Sequence, residues 1–474
     1  MADGESSARV RLAELSGGKG GPLVVQLSRG LAAGLNLPVK RPAIEVRVGG
    51  ICTSALLSLA GGEDTSIRMS SFLLNLLHIP VEATCNARWD SVGNCLSLGP
   101  VIGVFVSAQQ SGRLFFGRTE RAHEKVLSIA RGLGAIAYLF SLLDIDWGRG
   151  LIRGWTRTLS PEGVKWCSSI RPFPDVIYDR SLRRAEAITL RELMEKEGNE
   201  TPLFNAMPKL CKWETMEILR QCDPVKDILP ETILYRDASS VLEMLSRYDA
   251  VYLKPDDLSR GQGVFRVSRL PGGRLRVEYR DHPVNRVEDV NSGTELNRFL
   301  APYRRQDRNY IVQQRIDLAE HGGVPFDIRA LVQKDITGRW AIGGIVARLA
   351  AEGSVITSPR SGGSVAPISL ALNSAFPGSA SGLQEQVEAR AIEIAECIER
   401  RYRPCGEIGL DMGIDKNGRI WLIEANGKPL KVSLERLGDP AAEERMYRLP
   451  VEFCFYLAGF GGGDSNARGA GHHE

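Results

Sequence analysis

The segment GEIGLDMGIDKNGRIWLIEANGKP, residues 406–429, constrains the fold of this chain more than any other stretch. Apolar runs flank Asn417 and Gly418, the pair that most favours a two-residue hairpin, because a type I′ turn needs positive φ at both central positions. Such a turn sets Lys416 opposite Arg419. It therefore sets Asp411 opposite Glu424, with Asn426 one step further along the same face. Two carboxylates facing each other across a sheet destabilise it by roughly 0.2–1 kcal/mol. A divalent cation reverses that sign, and one or two carboxylates with an amide are the hard oxygen ligands Mg2+ takes when it bridges phosphates. The opposite face carries Leu410, Met412, Ile414, Trp421, Ile423 and Ala425, apolar enough to pack on a core. Glycines at 409, 413 and 427 leave room around the acids. Without a metal, the same segment reads as a solvated hairpin bearing two independent surface acids.

The net charge of +3 is too small to draw a nucleic acid or a membrane surface by electrostatics, so any anion site must be local. Nine cysteines lie singly at 52, 85, 95, 167, 211, 222, 397, 405 and 454. With no CxxC and no histidine at ligand spacing, they indicate neither a zinc site nor a disulfide framework, and a reducing cytosol fits them best. The start, MADGESSARV, has no apolar core of a leader, and no apolar run reaches the ~20 residues that span a bilayer. These features together read as a cytoplasmic protein.

Short apolar runs such as PLVVQLS, AIEVRVGG and ICTSALLSLAGG, broken by glycine and proline, predict a β-rich domain over residues 1–97. LGPVIGVFVS then reads as a buried strand, the run from about Glu120 to Phe140 as a helix, and PFPDVIYDR as a further strand, predicting an α/β domain over 98–205. From 206 to 460 strands and helices alternate regularly, and 461–474 reads as a disordered tail. The fold class is α/β with α+β character and several domains.

Within 206–460, Lys254 ends the strand AVYLK ahead of Pro255, and the loop DDLSRGQGVF supplies Ser259, Gly261 and Gly263. Glycines let backbone N–H groups approach phosphate oxygens, and a lysine adds a point charge. Alone, this loop also reads as a plain tight turn. A turn at Thr337 and Gly338 sets Asp327 opposite Arg348, with Arg329 on their face: a structural ion pair, or two planar guanidinium groups aimed at a phosphoryl oxyanion. TSPRSGGSVAPI, with Arg360, Gly362, Gly363 and Ser364, reads as a second anion nest or as a flexible loop. No histidine, His321 included, and no Ser/His/Asp set has the spacing of a catalytic group.

Read together, KWETMEIL with LPET, YLKPDDLSRGQGVFRV, YIVQQRIDL, FDIRALVQ, ARLA with SPRSGGS, and EIGLDMGID with WLIEANGKP resemble the ATP-grasp superfamily over about residues 206 to 460. LGPVIGVFVS, FSLLDIDWGRGLIRGW and PFPDVIYDR look like its endospore coat-associated YheC/YheD type. The resemblance implies an ATP-grasp fold that uses ATP and Mg2+. Lys212 and Lys254 look like the lysines that contact the nucleotide, and Gln313, Gln314, Arg315 and Ile316 are similar to the hinge whose backbone meets adenine. Gln313 and Gln314 stand where many members carry an acid. Asp411, Glu424 and Asn426 match the metal triplet, and Arg329 and Arg348 match positions facing the γ-phosphate. The implied activity is a carboxylate–amine ligase working through an acyl-phosphate on small-molecule or peptide substrates. Its implied setting is the cytoplasm and the endospore coat, with coat proteins as partners. A nucleotide-binding coat scaffold without turnover is the other reading the resemblance leaves open.

Overall fold

The computed structural model describes residues 7–15, 21–38, 41–80, 83–107, 119–160, 163–181, 183–205, 210–257, 263–281, 284–303, 309–351 and 362–461. The chain forms two compact units. The first takes in Met1–Ala206, Lys334–Arg339 and Tyr447–Glu474; the second takes in Met207–Gln333 and Trp340–Met446. Among the described residues no helix is long and apolar enough to cross a membrane.

In the first unit, seven strands close into a barrel: β1 (Ser7–Glu14), β2 (Val24–Ser28), β3 (Ala43–Val48), β4 (Ile51–Ala60), β5 (Ser66–Met69), β6 (Thr84–Asp90) and β7 (Cys95–Gly99). Their order is β1-β5-β2-β4-β3-β7-β6, with β6 returning to β1. Helices α1 (Arg29–Gly34) and α2 (Ser71–Leu76) join the strands. The alternation in AIEVRV is the cause of closure on a core: Ile44, Val46 and Val48 point inward and are buried. The text LGPVIGVFVS is split at Pro100 between β7 in the barrel and β8 (Val101–Phe105) in a second sheet. That sheet aligns β8 in parallel with β9 (Ile136–Phe140) and β13 (Val176–Asp179), and β13 with β14 (Leu203–Phe204). Strands β10 (Ile145–Asp146), β11 (Leu151–Ser160) and β12 (Gly163–Pro172) extend it antiparallel. Helices α3 (Glu120–Gly132) and α4 (Arg184–Lys196) complete the layers, and one apolar core is shared by barrel and sheet.

The run from Glu120 to Phe140 is not one helix. Gly134 adopts φ 83°, Leu133 N–H donates to Ile129 O and Ala135 N–H to Ala130 O, and the chain turns into the buried strand β9. A glycine past the last helical turn supplies the left-handed residue that ends a helix. Continuous apolar character carried no period that could separate the two elements.

The second unit holds two sheets. One runs β15-β20-β16-β17-β18-β19, built from β15 (Thr232–Leu234), β16 (Ala250–Pro255), β17 (Phe265–Arg269), β18 (Leu275–Asp281), β19 (Val284–Val290) and β20 (Tyr310–Gln314). It is backed by α6 (Ala238–Leu245) and α7 (Gly293–Leu300), whose buried Val241, Met244, Leu296 and Leu300 share its core. The other runs β24-β23-β22-β25-β26, with the short β21 (Glu320–His321) paired to β22. Its strands are β22 (Val324–Lys334), β23 (Trp340–Leu349), β24 (Ser364–Ala366), β25 (Glu407–Ile414) and β26 (Ile420–Asn426). Helices α5 (Lys212–Arg220), α8 (Ile368–Ala375) and α9 (Ala380–Arg401) contribute to the core beneath this second sheet. Helices α10 (Val432–Leu437) and α11 (Pro440–Leu457) follow it in the chain.

Cys222, just beyond α5, and Cys397 in α9 are joined as a disulfide inside that core, 175 residues apart in sequence. This overturns the expectation that the cysteines do not pair. Single cysteines at irregular spacing hold no information about which of them the fold brings together. Thiol titration of the unreduced protein in denaturant is expected to count seven free cysteines, and nonreducing peptide mapping to recover the Cys222–Cys397 link. Nine titratable thiols in protein never exposed to reductant would contradict the pairing.

Candidate functional site

The hairpin β25–β26 does bring Asp411 opposite Glu424, by a different route from a two-residue turn. Asp415 N–H donates to Arg419 O and Gly418 N–H to Asp415 O, so the loop has three residues, and of these only Gly418, at φ 84°, is left-handed. Asp415 Oδ1 accepts from the N–H groups of Asn417 and Arg419, an Asx turn that organises the loop. The hairpin of β22 and β23 uses the same device, with Asp335 Oδ1 accepting from Thr337 and Arg339 N–H and Gly338 at φ 75°. The longer loop shifts the pairing by one, giving Ile414 opposite Ile420 and Met412 opposite Leu422. An irregularity between Asp411 and Met412 then takes up Ile423 as an extra residue and restores Asp411 opposite Glu424, with Gly409 opposite Asn426. The buried face is accordingly Leu410, Met412, Ile414, Ile420, Leu422 and Ala425; Trp421 and Ile423 do not belong to that core.

The repulsion expected between the two acids is already answered by cations. Asp411 Oδ1 accepts from Arg329 Nη1 at 2.5 Å, and Arg348 Nη2 lies 3.1 Å from Asp411 Oδ2. Arg348 also grips Asp327, its Nε donating to Oδ1 at 2.7 Å. Arg329 reaches Asp411 because β22 and β25 set the two residues directly opposite. Burial alone would raise the Asp411 carboxyl, but Arg348 and Arg329 outweigh it and hold the group below the ordinary carboxylate value. Arg348 is held charged well above its ordinary value: burial works against the charge, and Asp327 and Asp411 overcome it.

Glu424 faces Lys212, the first residue of α5, whose Nζ lies 3.7 Å from Oε1. Trp213 N–H donates to Asp256 Oδ1 at 2.7 Å and Lys212 N–H to Asp256 O, so the residue two after Lys254 anchors the start of α5. Asp256 was not singled out in the sequence, where the only sign is its place in the Pro-Asp-Asp run. Lys254 Nζ donates to Gln313 Oε1 at 2.7 Å, Gln313 Nε2 to Thr232 Oγ1, and Thr232 Oγ1 to Pro230 O. Each partner in this chain has one available polarity, which orients the Gln313 amide. Burial lowers the Lys254 amine to about 8; Glu424 and Asp411 oppose that shift and Lys212 adds to it. Gln314 exchanges two hydrogen bonds with the Glu231 backbone, and Arg315 N–H donates to Ala250 O. Gln313 and Gln314 are thus paired through the backbone with β15 and β16, and Ile316 O accepts from Leu318 N–H in a local turn beyond them.

Gly263 has φ 67° and lies against Pro255, while Ser259, Gly261 and Arg360 lie outside the described residues. Arg329, Arg348, Lys212 and Lys254 together outnumber Asp327, Asp411 and Glu424 by one positive charge, a balance suited to a polyanion. Among the described residues no group of three or more His, Cys, Asp or Glu side chains stands ready to hold a metal. Glu424 and the Asn426 amide suit Mg2+ when phosphate oxygens and water supply the remaining ligands, whereas Asp411, with an arginine at each oxygen, would join them by sharing one of those contacts with the ion. Glu424, at 3.7 Å from its lysine, is not in a tight ion pair that a cation would have to break.

A model of the YheC/D like ATP-grasp family matches residues 200–457. Endospore coat-associated protein YheD of Bacillus subtilis (strain 168) is 26% identical over 381 residues, 76% of this chain and 79% of that protein. Endospore coat-associated protein YheC of the same organism is 25% identical over 301 residues, 62% of this chain and 80% of its own. Among solved structures, the D-alanine-D-alanine ligase from Coxiella burnetii aligns over 75% of this chain and 95% of its own, at 14% identity and a TM-score of 0.42.

Asp411→Asn removes the anion between two buried arginines and is expected to cost about 3 kcal/mol of stability in urea unfolding at neutral pH. The stabilisation comes from a carboxyl whose folded value is lowered, so it is fully present above the ordinary carboxylate range. The gap between wild type and variant should therefore close as pH falls below about 4. A gap that stays constant or widens on acidification would exclude this network as its source.

Proposed function

Because this chain belongs to the YheC/D like ATP-grasp family, we propose that it is an ATP- and Mg2+-dependent ligase joining a carboxylate to an amine through an acyl-phosphate. The observation that carries this reading is the convergence of Asp411, Glu424 and Asn426 with two arginines and two lysines in the second unit. We take residues 206–460 as the catalytic body, with 1–97, 98–205 and 461–474 as the remaining divisions.

In this scheme Lys212 and Lys254 hold the nucleotide phosphates, with Ser259, Gly261 and Gly263 lining the phosphate loop and the backbone of Gln313 to Ile316 receiving the base. Asp411, Glu424 and Asn426 are the residues that would hold Mg2+, which when bound draws charge off the phosphate oxygens. A carboxylate oxygen of the acid substrate attacks the γ-phosphorus and ADP leaves. The amine then attacks the acyl carbon, phosphate departs, and the nitrogen gives up a proton to the departing phosphate. Arg329 and Arg348 face the oxyanions of both steps. Their pairing with Asp411 and Asp327 pre-aims the guanidinium planes, so little reorganisation is needed as charge develops. An amine that arrives unprotonated needs no general base.

The two relatives named as endospore coat-associated favour a second reading, a coat assembly protein that holds the nucleotide without turning it over. Either role would be carried out in the cytoplasm or at the coat, with coat proteins as candidate partners. ADP release separates the two. The ligase is expected to release ADP steadily when a carboxylate and an amine are both supplied, and to lose that release on Glu424→Ala. Tight Mg·ATP binding with no release across a broad panel of acids and amines would favour the scaffold.

The lowered Lys254 amine adds a pH test. Below about 8 the amine is charged and ready for phosphate; above that it loses its proton in the free protein. Nucleotide binding near pH 9 should therefore take up as much as about one proton, seen as a buffer-dependent calorimetric enthalpy. The uptake should vanish in Lys254→Met. Equal enthalpies in buffers of different ionisation heat would exclude Lys254 from the phosphate contact.

A further inference from the structure

Arg329 lies across a gap in its own sheet. Gly409 sits on β25 between Glu407 and Asp411, opposite Leu331 on β22 and Asn426 on β26. A Cβ added at Gly409 would stand 2.7 Å from Arg329 Nη2, 2.9 Å from Arg329 Cζ and 2.6 Å from Pro429 Cβ. The guanidinium therefore occupies the space a side chain at 409 would fill, with Pro429 against it. The residues after Asn426 bring that proline back over β25, and the buried Lys431, ion-paired with the fully buried Glu407, fixes where they return. Gln333 Nε2 donates to the same Glu407 carboxylate at 2.5 Å and to Met446 O at 2.8 Å, which holds the acid in place.

Gly409 has no positive φ and no turn to make, since it lies inside a regular stretch of paired strand. Backbone conformation does not require glycine here; the guanidinium does. Asp411 binds one edge of that guanidinium through Nη1, and the slot holds the Nη2 side. A charged head restrained on two sides keeps the aim that a free arginine would lose to rotamer motion.

We infer that Gly409 and Pro429 form a slot that positions Arg329 for the transferring phosphoryl group, making both of them positioning residues for phosphoryl transfer. The inference rests on the reading of the site as a phosphoryl-transfer centre. Of the three atoms nearest a methyl at 409, two belong to the far end of the Arg329 side chain and one to a proline ring on a connecting segment. Gly409→Ala should accordingly fold and bind ground-state nucleotide while displacing the arginine. Gly413, on the same strand, is a matched control, because its added Cβ would be equally crowded, 2.6 Å from Leu318 Cδ2 with Ile423 next nearest, and neither of those residues touches Arg329.

The test compares two probes by calorimetry in Mg2+: the non-hydrolysable analogue AMP-PNP for the ground state, and ADP with aluminium fluoride for the transferring phosphoryl group. Gly409→Ala is expected to keep AMP-PNP affinity within about threefold and to lose about a hundredfold for ADP with aluminium fluoride. Gly413→Ala should change neither. Pro429→Gly, which removes the wall without inserting an atom, should show the same selective loss and covers the case in which Gly409→Ala does not fold. In an Arg329→Lys background, Gly409→Ala should have no further effect. Wild-type protein that binds neither probe would sink the phosphoryl-transfer reading itself. Wild-type protein that binds both, with Gly409→Ala and Pro429→Gly indistinguishable from it, would sink the slot alone. Equal loss of both probes in the folded variants would reduce Gly409 to a structural residue and also overturn the proposal.

Discussion

The bridge from Asp327 through Arg348 to Asp411 and on to Arg329 is the interaction around which the second unit is organised. Buried charges are tolerated only when their partners are held in good geometry, and here the partners come from three adjacent strands, β22, β23 and β25. Breaking any link strands a charge in the low-dielectric interior. The network therefore fixes which strands must neighbour one another, and the acid that faces Glu424 is the same acid that orients both arginines. Site geometry and sheet register are in this sense one constraint.

Around that constraint the remaining cations are arranged by local chemistry. Lys212 opens a helix whose first N–H groups are bound by Asp256, and Lys254 is aimed by a neutral amide rather than by an acid. A carboxylate at 313 would neutralise the lysine it orients; the glutamine orients it and leaves its charge uncompensated at that contact.

Much of this was legible from the chain, though not always for the stated reason. Asp411 and Glu424 do face one another, yet the Asn-Gly turn does not set them there. An Asx turn adds one residue to the loop and Ile423 adds one to the strand, and the two displacements cancel at the acids but not in between. Trp421 and Ile423 were assigned to the core for that reason, while Ile420 and Leu422 occupy it. An irregularity inside a strand has no sequence signature as strong as the turn it offsets. Helix α3 and strand β9 run together in the sequence because apolar content is continuous, and Gly132 and Gly134 are the marks of their boundary. The Cys222–Cys397 link was hidden because proximity across 175 residues is a property of the folded core.

The closed barrel of the first unit has a consequence of its own. Each of its seven strands has a neighbour on both sides, so the ring has no terminal strand with a row of backbone donors and acceptors left over. Such a ring cannot be lengthened by lending an edge to another polypeptide, whether in ordered assembly or in fibrous aggregation. Whatever this part of the chain recognises, it must recognise through the side chains it displays and the loops at its rims.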